Sequence, residues 1–127
     1  MAINNISSAA RSAMCDALVD LVDGGSGQGK IKIYTGSFAA QLAELLFTDP
    51  AFGAASNGVA TADTISDEDS ALDTGTAAVC RITNSDDTVI WEGTVGTSGA
   101  DINLNTTSIT TGDRISISSF TVTMPAS

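Results

Sequence analysis

The sequence predicts a mainly β fold, an antiparallel β-sandwich of jelly-roll type preceded by one N-terminal amphipathic α-helix. Three observations carry that expectation. From about Thr76 to Met124, short apolar segments built on Val79, Ile82, Val89, Trp91, Val95, Ile102, Ile109, Ile115, Ile117, Phe120 and Val122 are cut by turn residues such as Asn84-Ser85-Asp86-Asp87 and Gly112-Asp113. Lys30–Tyr34 (KIKIY) alternates apolar and polar residues, the pattern of a half-buried strand. Ahead of it, Ile6, Ala10, Met14, Ala17, Leu18, Leu21 and Val22 recur at the three- and four-residue spacing of one helix face.

The elements follow in order. Residues 1–5 read as a flexible arm. Residues 6–23 read as the helix, capped by Ser7 or Ser8 and stopped by Gly24-Gly25. Its apolar stripe needs a partner, either the sheet or another subunit. Residues 24–29 (GGSGQG) are a Gly-rich, flexible connector. The β-sandwich is expected over residues 30–125. Leu42–Thr48 fits a strand or a helical turn, and the abrupt stop at Asp49-Pro50 favours the strand. Val59–Ile65 is a short strand, and Ser66–Gly75 an acidic loop. Thr76–Thr83 and Thr88–Val95 form a hairpin about Asn84–Asp87, followed by strands at Asp101–Leu104, Ser108–Thr110 and Arg114–Met124. No repeat of solenoid or propeller period is present. With 127 residues, the chain suits a single domain.

Composition excludes several function classes. The chain contains no histidine, so the side chain best matched to proton transfer near neutral pH is missing. Fifteen Asp and Glu residues against five Lys and Arg give a net charge of −10. Such a surface repels phosphate backbones and anionic lipids, so neither nucleic acid nor membrane is an expected partner. It serves solubility, or it meets a partner with a basic face or bound cations. No signal peptide and no membrane-length apolar run stands out, which points to synthesis in a cytoplasm. Cys15 and Cys80 lack C-x-x-C spacing and a histidine to complete a zinc set; two packed, reduced thiols are the expectation.

Each candidate for chemistry has a plainer competitor. Asp67, Glu68, Asp69 and Asp73 offer four carboxylates within one loop, a weak cation candidate beside the reading of a solvated acidic loop. The EF-hand pattern is not met. Carboxylates paired for glycoside hydrolysis would need a cleft rich in stacking aromatics, and Trp91 and Tyr34 stand almost alone beside four Phe. GGSGQG follows a helix and lacks the G-K-[ST] ending of a phosphate loop, since Ile31 follows Lys30. Gly96-Thr97-Ser98-Gly99 is not a nucleophile elbow. Trp91 reads as a core or interface anchor before it reads as a ligand platform. No catalytic residue, cofactor or metal is assigned.

Three stretches together resemble a known group: Ala9-Ala10-Arg11-Ser12-Ala13 to Leu18-Val19-Asp20 with the glycines that end the helix; Phe47-Thr48-Asp49-Pro50-Ala51-Phe52-Gly53-Ala54-Ala55; and Gly93 to Thr107 (GTVGTSGADINLNTT). In these the chain resembles small virion structural proteins of tailed bacteriophages and prophages. The resemblance implies a capsid cement, or decoration, protein with a sandwich body. Its partners would be the major capsid protein and copies of itself, and its location the virion, after synthesis in the bacterial host. The packing and interface groups would then be Met14, Leu18, Leu21 and Val22 of the helix, Phe47, Phe52, Trp91 and Phe120 as anchors, and the strand Arg114–Met124. The alternative is a head-fibre or tail adhesin module that binds host-surface carbohydrate.

Overall fold

The computed structural model describes residues 3–117 and 119–125. Met1 and Ala2 of the expected arm, Ser118 of the expected last strand, and the final Ala126 and Ser127 lie outside the described residues. The chain is mainly β, with one N-terminal helix, as expected. Helix α1 runs Ser8–Asp20 and continues into a 3₁₀ turn at Leu21–Asp23. The strands are β1 (Lys30–Tyr34), β2 (Gln41–Leu46), β3 (Val59–Thr61), β4 (Gly75–Thr76), β5 (Val79–Thr83), β6 (Val89–Gly96), β7 (Ile102–Asn103), β8 (Ser108–Ile109) and β9 (Thr121–Thr123).

Five strands form the main sheet in the order β2-β1-β5-β6-β7. Register explains why they hold. Ile31 faces Leu45 on one side and Ile82 on the other, and Ile33 faces Ala43 and Cys80. All six side chains are buried. The intervening positions Lys30, Lys32, Glu44, Arg81 and Glu92 point to the opposite, wet face, as a period of two requires. A bulge between Ile33 and Tyr34 breaks the alternation in β2, so consecutive Leu42 and Ala43 are both buried. The segment 42–48, expected as strand, is strand as far as Leu46, because only an extended chain brings Leu45 and Ala43 opposite the β1 isoleucines; Phe47 and Thr48 lie beyond it.

The hairpin β5–β6 forms as expected. Its turn is organised by Asn84, whose Oδ1 accepts the Asp86 and Thr88 N–H groups at 2.9 and 3.1 Å. Asp87 takes the left-handed conformation at φ 67°, which Asp tolerates better than most residues. The sheet is mixed, because β7 runs parallel to β6, against the all-antiparallel expectation. Two further pairs, β3–β9 and β4–β8, are antiparallel and separate from the main sheet.

The last expected strand is not continuous. Between Arg114 and Met124 the backbone makes three separate contacts: Ile115 with Glu68, Ile117 with Leu104, and Thr121–Thr123 with β3. Each carries one buried side chain or strand edge to a different neighbour, so a single straight strand would leave two of the three unpaired. Likewise Gly75–Thr76 pairs with β8, apart from β5.

The connector 24–29 is bound at its ends. Gly24 O accepts the Ser85 hydroxyl at 3.1 Å, and Gly25 takes φ 88° against that turn. At Gly29 a Cβ would lie 2.3 Å from Val22 Cγ1, so the chain passes the helix end at a distance no side chain permits. The free edge of β2 is also covered. Leu46 O accepts Ser66 N–H at 2.9 Å, Leu42 O accepts Leu72 N–H at 2.7 Å, and the Glu68 carboxylate accepts Glu44 N–H at 3.1 Å. The segment after β3 therefore blunts an edge that would otherwise pair with another chain.

Burial sorts the apolar residues into two energetic classes. Truncating Phe47→Ala, at a fully buried position, should destabilise the fold by about 3–5 kcal/mol, while Met14→Ala, 39% exposed, should stay within about 0.5 kcal/mol. Urea-unfolding midpoints of the two variants check this; similar midpoints would contradict the burial.

Candidate functional site

Of the eight residues expected to serve core packing or an interface, the structure places four in the core. Val22, Phe47, Phe52 and Phe120 are buried. The three phenylalanines form one cluster, with ring centroids 5.3 Å apart for Phe47–Phe52, 6.1 Å for Phe47–Phe120 and 5.7 Å for Phe52–Phe120. Trp91, half-buried, closes it at 6.5 Å from Phe52 and 6.3 Å from Phe120. These rings fill the space between sheet and β9 and are anchors of the fold. The three phenylalanines are spent on the inside and offer little to a partner, while Trp91 keeps part of its ring at the surface.

The helix stripe divides in two. Cys15, Val19 and Val22 are buried and Leu18 is half-buried, whereas Met14 is 39% and Leu21 55% exposed. Ala10, Ala13 and Ala17 are exposed with them. The expected single stripe mixed two faces, because residues four apart on a short helix extend an apolar patch in either direction. Helix α1 docks through Cys15, Val19 and Val22 together with a row of polar side chains. Ser12 Oγ accepts Gly58 N–H at 3.0 Å, Asp16 Oδ1 accepts Ala55 N–H at 2.7 Å, and Asp23 Oδ1 accepts Ala51 N–H at 2.8 Å. Ser8 donates to Asn57 Oδ1 at 2.9 Å. This clasp on the loop 51–58 was not foreseen. The four-residue recurrence of Ser8, Ser12 and Asp16 was its signal in the sequence. Burial pushes the Asp23 carboxyl up, and the Ala51 N–H opposes it.

The acidic loop does not converge. Asp67 accepts two hydrogen bonds from Arg114, at 2.7 and 2.9 Å, and Asp69 lies 4.0 Å from the same guanidinium. Glu68 is spent on Glu44 N–H and Ser70 N–H, and Asp73 on Thr74 N–H. Among the described residues no three acidic or sulfur side chains gather as a metal site would require.

The wet face of the main sheet gathers three of the five cations. Asp87 Oδ1 lies 2.8 Å from both Lys30 Nζ and Lys32 Nζ, and Arg81 Nε donates to Glu92 at 2.8 Å. The Arg81 guanidinium also rests over Phe38, 4.2 Å from its ring centroid, and 5.2 Å from that of Tyr34. Ser37 and Phe38 both hold positive φ to bring that ring there. Opposite, at the edge of the sheet, a cleft of about 210 Å³ is lined by Trp91, Glu92, Gly93, Asp101 and Thr121–Thr123, with Cys80 among its walls. Asp101 there accepts Thr94 N–H at 2.9 Å. Both carboxylates at the cleft are engaged within the fold, Glu92 by Arg81 and Asp101 by Thr94, so the indole and the threonine hydroxyls are what it offers.

Both cysteines are free and buried. Burial pushes the Cys80 thiol up to about 12 and raises Cys15 as well. Native protein at pH 8 should therefore leave both thiols unlabelled by a disulfide reagent, and both should react after unfolding. Labelling of the folded chain would show the thiols open to solvent.

The Asp87 carboxyl is held down at about 2, first by Lys30 and then by Lys32. A carboxyl depressed on folding stabilises the fold above its ordinary value near 3.8, and that contribution fades as pH falls toward 2. Asp87→Asn, which keeps a side chain tolerant of positive φ, should flatten the decline in unfolding midpoint between about pH 4 and pH 2. An unchanged decline would place the acid sensitivity elsewhere. No described helix is long and apolar enough to cross a membrane. No family model matches the chain, and no curated protein or solved structure matches it.

Proposed function

We propose that this chain is a structural virion protein of tailed phages, a cement or decoration protein that binds the capsid surface or capsomer junctions as a homo-oligomer. The proposal includes a two-sheet body of jelly-roll type and a location on the virion shell, with the major capsid protein as partner. One observation carries most of the reading. A short helix already docked by Cys15, Val19 and Val22 presents a second apolar stripe outward, with Met14 and Leu21 exposed. The fold does not use that stripe, and contact with another protein would. The resemblance in the helix, in the Phe47–Ala55 stretch and in Gly93–Thr107 points the same way. Cementing needs no bond-making chemistry; it needs binding to the closed shell in preference to the opened one. At a free concentration one hundred times the dissociation constant, such binding stabilises each site by about 2.7 kcal/mol.

A second reading is favoured by the cleft beside Trp91. An adhesin module for host-surface carbohydrate would use the indole as a stacking platform and the hydroxyls of Thr121 and Thr123 as hydrogen-bonding groups.

Purified shells stripped of this protein and then resupplied with it decide between the two. Cement predicts saturable rebinding and a rise of several degrees in the temperature at which shells break open. An unchanged breakage temperature at saturation would end the cement reading. Binding on a glycan array, lost in Trp91→Ala, would support the adhesin instead.

A further inference from the structure

The loop that α1 clasps carries a pair of residues with chemistry of its own. Asn57 and Gly58 are the two central residues of a tight turn. Both hold positive φ, 53° and 77°, and the flanking Ser56 and Val59 exchange two backbone hydrogen bonds, at 2.9 and 3.0 Å. Such a turn selects Asn followed by Gly, because two successive left-handed residues exclude most others. A side chain at position 58 is excluded in a second way, since a Cβ there would lie 3.0 Å from Arg11 Cβ. The same pair is the dipeptide in which an asparagine side chain reacts most readily with the backbone. A glycine without Cβ leaves its own nitrogen open to the amide carbon of the residue before it.

Both reacting groups are held from the helix. Ser12 Oγ accepts Gly58 N–H at 3.0 Å, and Ser8 Oγ donates to Asn57 Oδ1 at 2.9 Å. A bound N–H releases its proton less readily, and a bound amide is kept from swinging over the backbone. We propose that Asn57–Gly58 is a self-modification site that docked α1 holds closed. When the helix lifts, Gly58 N loses its proton to solvent and attacks Asn57 Cγ. The new N–C bond forms, the bond from Cγ to the amide nitrogen breaks, and that nitrogen takes a proton from water and leaves as ammonia. Water then opens the five-membered imide at either carbonyl, giving aspartate or isoaspartate at position 57. Isoaspartate routes the main chain through the former side chain and adds one backbone atom. The turn closed by Ser56 and Val59 cannot keep its geometry with that atom inserted, and Gly58 O, which accepts Met124 N–H at 2.8 Å, moves with it. The change runs one way. A helix released once returns to a loop that no longer presents the Gly58 N–H to Ser12.

Peptide mass mapping of the full chain, aged at mildly alkaline pH, tests it. Position 57 should convert at least about tenfold faster in urea-unfolded chain than in native protein. In the native fold, Ser12→Ala should speed conversion at least about fivefold, and Ser12→Thr, which restores a hydroxyl, should return it to near the wild-type rate. Ser8→Ala, at an exposed position, removes the second bond without touching the core and should also speed it. Equal rates in native and unfolded chain, or wild-type rates in both alanine variants, would overturn the proposal. Chain aged unfolded and then refolded should melt several degrees below fresh chain. Asn57→Gln, whose longer side chain closes a ring far more slowly, should melt alike fresh and aged. An aged wild-type chain that melts like fresh chain, or an equal loss in Asn57→Gln, would overturn the one-way release.

Discussion

Ile31, Ile33, Cys80 and Ile82 stand side by side on β1 and β5, and their burial against Leu45, Ala43 and the phenylalanine cluster is the interaction on which the other elements depend. Each surrounding piece covers a part of this dry face or seals a border of it. Trp91 and Phe120 close one end. The segment 66–72 caps the β2 edge with two backbone bonds and one carboxylate. Helix α1 reaches the core through Cys15, Val19 and Val22, while Gly29 lets the chain turn under Val22 without a side chain in the way. The aromatic content is low, so aliphatic side chains carry most of this layer, and each missing methylene would be felt.

Charge is distributed to protect that core and to keep molecules apart. Four of the five basic residues are paired with carboxylates among the described residues, three of them on the wet face of the main sheet. Exposed pairs of this kind add little stability each. Their effect is local neutrality on one face, which leaves the excess of carboxylates to dominate the rest of the surface. A molecule so charged approaches a like copy only where carboxylates are absent. The outer stripe of α1 is such a place, and it is also where methionine and leucine meet solvent.

The main sheet was legible because its strands obey a period of two and its hairpin is marked by Asn84 and Asp87. The helix end was legible because Gly24-Gly25 follows directly on the 3₁₀ turn Leu21–Asp23 that closes it. What escaped reading is instructive physically. Two apolar stripes on α1 overlap in sequence, and no local rule tells which one meets the sheet; Ser12, Asp16 and Asp23, by bonding loop N–H groups, decide it. Residues 114–124 look like one strand because alternation is a local property, whereas their three pairing partners, Glu68, Leu104 and β3, are set by the whole chain. The acidic loop stood as a weak cation candidate beside a solvated loop because composition shows carboxylates and not the donors that consume them. Arg114, far along the sequence, and the backbone N–H of Glu44 are those donors.

The two faces of α1 answer to different demands. The inner face is fixed by the fold, since removing Val19 or Val22 would leave loop 51–58 clasped to a helix with no core beneath it. The outer face is under no such demand, and the chain would lose nothing in folding by carrying glutamate or lysine at positions 14 and 21. Leaving Met14 and Leu21 there costs solubility unless something covers them.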